Sequence, residues 1–122
     1  MRALALSLMT AATLVAGCAT APIDPRVRYE PGLEKELLVT RIGESRVRDG
    51  TLRVGVSGVS LTKASAQELR YRFDWYDRAD LPISTSVANW ERLNVDPEGN
   101  FELVGVGPGP RGVRYLVEFR HP

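Results

Sequence analysis

The stretch Leu69–Asp77, Leu-Arg-Tyr-Arg-Phe-Asp-Trp-Tyr-Asp, constrains this chain more than any other. Leu69, Tyr71, Phe73 and Trp75 alternate with Arg70, Arg72, Asp74 and Tyr76. A period of two sends the first set to one face of a strand and the second set to the other. Three aromatic rings on one face need a core to enter. The segment is therefore expected to be a central strand, with the arginine-bearing set turned outward.

The rest of the chain from Glu36 onward reads as further strands. Leu37 and Val39 alternate with Leu38, Thr40 and Ile42. Asp49-Gly50 is a two-residue hairpin signal, because both residues tolerate positive φ. In Thr51–Thr62 the apolar residues Leu52, Val54 and Val56 share one parity, whereas Val59 and Leu61 take the other. A β-bulge at Ser57-Gly58 would keep all five facing the core; two strand pieces in different sheets would serve as well. Pro82 confines its surroundings to an edge or a strand start. Trp90, Leu93 and Val95 mark another strand, and Asp96–Asn100 a turn. Phe101–Gly107 is apolar on both faces, which predicts a central position. Val113, Tyr115, Val117 and Phe119 close the series in alternation with Arg114, Leu116, Glu118 and Arg120. Helical periodicity is absent from this part. The fold class expected is all-β: an immunoglobulin-like antiparallel β-sandwich of about seven strands over residues 35–122, with a tryptophan in mid-sheet.

Cysteine usage bounds the chemistry. Cys18 is the single thiol of 122 residues, so an internal disulfide framework and a cysteine-based zinc site are both excluded. Its surroundings account for it. Met1-Arg2 is a short positive start, and Ala3–Val15 is apolar and small. That run is shorter than the roughly 20 residues a membrane span needs, and it has the form of a secretory signal core. Leu14-Val15-Ala16-Gly17-Cys18 resembles the bacterial lipobox. The resemblance implies cleavage ahead of Cys18, a diacylglycerol on its thiol and an acylated amino terminus. Each buried acyl methylene adds about 0.8 kcal/mol, so several chains make a durable anchor. Ala19 in place of Asp after the cysteine implies, by the same resemblance, sorting to the outer membrane. Residues 1–17 are then a signal peptide, and residues 18–34, with Pro22, Pro25 and Pro31, an extended tether holding the domain near the periplasmic face.

The string Tyr71-Arg72-Phe73-Asp74-Trp75-Tyr76-Asp77, the later Trp90, a Pro97-Glu98-Gly99 turn and an apolar strand running into Gly107-Pro108 follow the lipobox. Together they resemble the YcfL family of small proteobacterial lipoproteins, over roughly Leu37 to Phe119. The resemblance implies an immunoglobulin-like sandwich of unknown function and brings no catalytic residues and no cofactor.

Little in the sequence suggests catalysis. Net charge is +1, and Arg2 of the signal segment accounts for it, so a balanced surface argues against nucleic acid as a partner. The single histidine, His121, lies in a C-terminal tail expected to fray. Asp74, Asp77 and Asp80 could offer oxygens to calcium, but they lack an EF-hand's dense ligand loop, and turn-forming carboxylates are the plainer reading. Gly105–Gly109 is glycine-rich but has neither a following helix nor a Lys-Ser/Thr pair, so it does not read as a phosphate loop. No metal site is expected. The outward stripe Arg70, Arg72, Asp74 and Tyr76 is the candidate binding face, since arginine and tyrosine are favoured at binding hot spots; a solvated sheet face is the alternative. The functional expectation is a non-enzymatic, outer-membrane-anchored interaction module whose partner is an envelope protein or peptidoglycan.

Overall fold

The computed structural model describes residues 23–84 and 90–122. The signal segment and Cys18 lie outside them. Seven strands form: β1 Val27–Tyr29, β2 Leu37–Arg46, β3 Leu52–Ser60, β4 Gln67–Tyr76, β5 Glu91–Val95, β6 Asn100–Val106 and β7 Arg114–Arg120. A single 3₁₀ turn, Leu33–Lys35, is the one helical element among the described residues. The strands make two sheets, β1-β7-β4-β5 and β2-β3-β6. Their inner faces share one core, so the fold is the β-sandwich expected.

The strand that anchored the sequence reading is interior to the larger sheet, between β7 and β5. Leu69 and Trp75 are buried, and Tyr71 and Phe73 are half-buried against the core. Phe73 stacks on Trp75 with ring centroids 5.9 Å apart, and Trp75 meets Tyr115 of β7 at 5.7 Å. Facing them across the sandwich, Gly105 of β6 leaves room for the Phe73 ring, which would lie 2.7 Å from a Cβ placed there. The glycine-rich run is thus a packing feature of the core.

Four details depart from expectation. First, β1 pairs with β7 in parallel, so the sandwich is not wholly antiparallel. This strand and the fully buried Leu33 belong to the stretch expected to be tether. The folded unit begins near Arg26, whose guanidinium holds Asp24 at 2.8 Å. Val27 and Tyr29 do alternate with Arg28, but three residues between prolines are too few for periodicity to reveal a strand.

Second, β3 runs without a bulge. Gly58 faces the core because any Cβ there would strike the Leu38 carbonyl oxygen and the Phe101 ring. Ser60, also inward, is satisfied by Thr62 and Gln67 at 2.9 and 3.1 Å. Val59 and Leu61 therefore face outward. The register shift falls on β2 instead, where Thr40 is the extra residue between Val39 opposite Gly58 and Arg41 opposite Ser57. It lets both Val39 and Ile42 reach the core despite opposite parity.

Third, the β2–β3 turn is the three residues Arg48-Asp49-Gly50, closed by the Val47 N–H donating to the Thr51 carbonyl at 2.9 Å, not the two expected. Gly50 alone takes positive φ, 86°, and the Gly50 N–H donates to the Val47 carbonyl at 2.8 Å. This is a type I turn closed by a left-handed glycine. Fourth, β6 is an edge strand. Its second apolar face, Val104 and Val106, is turned to solvent at 51% and 58% exposure.

Candidate functional site

The outward stripe of β4 lies where alternation puts it: Arg70, Arg72, Asp74 and Tyr76 are all half-buried on the outer face of the larger sheet. The neighbours supplied by pairing divide the stripe in two. Arg72 stands opposite Glu118 of β7, and its Nη2 reaches that carboxylate at 3.4 Å. Its Nε lies 3.1 Å from Asp74 Oδ1, at an angle that leaves this buried N–H without an acceptor. The Arg72 guanidinium also lies over the Trp90 ring, 4.5 Å from its centroid. Arg72, Asp74 and Glu118 thus form a largely compensated network. Beside it is a cleft of about 380 Å³, lined by Arg28, Asp74, Tyr76, Ile83 and Glu118 among others. Tyr76 forms one wall, bridged to Pro82 on one side and opposite Arg114 on the other. Arg114 is itself paired with Asp80 at 2.5 Å.

One step along the strand the charge is not compensated. Arg70 stands directly opposite Arg120 of β7 and directly opposite Arg92 of β5. Three arginines therefore stand in register across three neighbouring strands, about 5 Å apart at the backbone. Arg92 has a loose, exposed pair with Glu68 at 3.7 Å. Among the described residues, neither Arg70 nor Arg120 has an ion-pair partner. Arg120 lies over Trp90, 4.0 Å from the ring centroid. Glu30 feels its field but is hydrogen-bonded to His121. Like charges directly opposite in a sheet are destabilising, so this row is a local cost of the fold. Chemically it is a ladder of bidentate donors suited to carboxylate or phosphate oxygens.

Sequence reasoning found Arg70, Arg72, Asp74 and Tyr76 but missed Arg92, Arg120, Glu118 and Trp90 as their companions. Arg92, Arg120 and Glu118 each face outward on their own strands, and Trp90 immediately precedes β5, yet only register and strand order make them neighbours. The aspartates considered for calcium also part. Asp74 pairs with Arg72, Asp80 pairs with Arg114, and Asp77 accepts from the Ala79 and Leu81 N–H groups at 2.8 and 3.1 Å, closing its own turn.

His121 does not fray. Its backbone N–H and Nδ1 each lie 2.7 Å from Glu30, and Nε2 lies 2.9 Å from Glu36. Carboxylates on both ring nitrogens favour the doubly protonated ring. Its pKa is raised, chiefly through Glu36 and then Glu30. On the opposite side of the core, burial and the Glu44 hydrogen bond push the Tyr115 hydroxyl well above its ordinary range. Burial, then the bond to Glu91, raises Tyr71 to about 12. Both phenols stay protonated and structural at any physiological pH.

Comparison with known proteins bears on the fold and the family. A crystal structure of Campylobacter jejuni cj0090 superposes with a TM-score of 0.66 at 18% identity, covering 81% of this chain and all of that one. A DUF1425 family member from Shewanella sp. pv-4 superposes with a TM-score of 0.63 at 21% identity, covering 70% of this chain and 78% of that one. At such identities the likeness is one of fold. No curated protein matches the sequence. The family model described as a protein of unknown function, DUF1425, matches residues 26–121, almost the whole sandwich from β1 to His121, and the chain belongs to that family.

Proposed function

We propose that this chain is a YcfL-type lipoprotein, anchored through Cys18 in the outer membrane and facing the periplasm. Its immunoglobulin-like sandwich would act there as a non-catalytic module that binds an acidic surface of another envelope component. The lipobox-like Leu14–Cys18 supports the anchor. The single observation that carries the binding role is the Arg92–Arg70–Arg120 row. A sheet that sets like charges opposite one another loses stability, and an anionic partner recovers it on binding.

An envelope protein is favoured over a glycan as the partner. Sugar recognition needs an open aromatic face, and the Trp90 ring is already engaged by Arg72 and Arg120. Crosslinking in intact cells from a photoreactive residue at position 70 tests the reading. The expected product is a discrete adduct that is lost when Arg92 and Arg120 are both changed to Glu. Recovery of no adduct overturns it. Retention on purified cell wall, with no protein adduct, moves the reading to peptidoglycan, whose carboxylates could meet the same row. Replacing Cys18 with Ser should release the chain from the membrane fraction, and unchanged fractionation removes the anchor.

A further inference from the structure

The two sheets have four edges, and three are protected in the usual ways. β1 has three residues. β5 has five and carries Glu91 and Arg92. β2 is interrupted at Thr40 and followed by Arg41, Glu44 and Arg46. Short length, charge and bulges are how sheets discourage pairing with other chains. β6 has one carboxylate, Glu102, and no other protection of this kind. Its seven residues, Asn-Phe-Glu-Leu-Val-Gly-Val, contain no proline and no cation, and pair with β3 in unbroken register.

The direction of its free hydrogen-bonding groups follows from its paired ones. The Gly107 N–H donates to the Leu52 carbonyl at 2.8 Å, and the Ser60 N–H donates to the Gly99 carbonyl at 2.9 Å. Antiparallel pairs alternate, so the odd-numbered residues Phe101, Leu103 and Gly105 turn their backbone groups toward β3. Glu102, Val104 and Val106 turn theirs to the open edge. The same three side chains are exposed on the outer face.

We infer that β6 pairs antiparallel with β6 of a second copy about a two-fold axis at Val104, joining the two smaller sheets into one six-stranded sheet. A two-fold contact must be complementary to itself, and this register is. Val104 meets its own copy, and Glu102 meets the partner copy's valine at position 106. The two acidic groups are kept well apart. On the core side Leu103 falls beside the glycine at 105, and Phe101 beside the glycine at 107, so no two large side chains are set opposite each other. Pairing centred on Leu103 would instead set the two Glu102 carboxylates on a diagonal, and pairing centred on Glu102 would place them face to face. The contact forms roughly six backbone hydrogen bonds. It is smaller than a standard stable interface, so the dimer is a weak one.

The test uses the purified full chain in detergent, followed by sedimentation and crosslinking. The parent chain is expected to pass from monomer to dimer as concentration rises. Val104→Lys and Val104→Glu, each on an exposed side chain, should each weaken association about tenfold or more, because each sets like charges across the axis. An equimolar mixture of the two variants should restore association, which a folding defect could not do. In a Cys18→Ser background, Val104→Cys should form a disulfide-linked dimer, since directly opposed residues lie within disulfide reach and diagonal ones do not. Gly43→Cys on the β2 edge should not. A chain that stays monomeric at every concentration overturns the inference. So does a dimer indifferent to charge at position 104, or one that never crosslinks there.

Discussion

The outer faces of the two sheets differ although one alternation rule made both. On the larger sheet the outward residues are mostly arginines and carboxylates, with Tyr76 and Leu116 among them, and two of the arginines, Arg72 and Arg120, lie over the Trp90 ring. On the smaller sheet Gly43 stands opposite Gly55, and Gly55 opposite Val104. A Cβ added at either glycine would meet nothing within 4 Å. One face offers a row of charged groups; the other also carries exposed Arg41, Arg53 and Glu102 but is low where Gly43 and Gly55 meet, and among the described residues it ends at an edge that no strand covers. A sandwich can thus carry two unlike recognition surfaces, because its inner faces alone must match each other.

The largest expected effect strikes both faces at once. Trp75 is buried beneath them against Phe73 and Tyr115, and Trp75→Ala should cost about 3–5 kcal/mol. Urea unfolding measures it; a loss near zero would take Trp75 out of the core and uncouple the faces. Next comes a contrast between the two sides of one strand. Gly58→Ala pushes a methyl into the Leu38 carbonyl and the Phe101 ring, and should cost about 1–3 kcal/mol. Gly55→Ala, three residues away on the open face, should stay within about 0.5 kcal/mol of the parent. Equal costs would show that the smaller sheet's outer face is covered.

Arg70→Glu comes third and carries the opposite sign. It removes the centre of a like-charge row, so stability should rise by up to about 1 kcal/mol while capture of an acidic partner is lost. A fall in stability would mean that the row is compensated. The smallest effect is the His121 clasp. Its pKa is raised in the folded chain, so its contribution is full below the unfolded histidine range and fades as pH rises through the higher folded value. Glu30 is depressed, so its share is lost instead as pH falls through the acidic range. The pair is exposed and screened by solvent, so the pH-dependent difference between the parent and His121→Ala should be the smallest of the four in thermal unfolding. An unchanged pH profile in the variant would show that the tail is not held in solution.

Much of the architecture was legible because alternation is local. Leu69 to Trp75, Leu52 to Val56, and Tyr115 to Phe119 each declare a buried face within a few residues. The errors have a shared cause. A bulge inferred from Val59 and Leu61 assumed that apolar residues must point inward, but Phe101 had already taken the space over Gly58. A central position for β6 assumed that two apolar faces must both be covered. His121 was set aside for its place in the chain, although Glu30 and Glu36, far away in sequence, hold both its nitrogens.

The candidate site shows the same division. By itself the sequence determined that residues 35–122 make an all-β domain, that Arg70 and Arg72 share an outward face, and that these 122 residues hold no second thiol to pair with Cys18, since period-two geometry and residue counts need no partner strand. Only the tertiary structure decided that Arg72 is tied to Glu118 while Arg70 stands between Arg92 and Arg120, and that β6 ends a sheet. Those facts depend on register and strand order. Both are settled by how two inner faces pack together, a relation that no single segment contains.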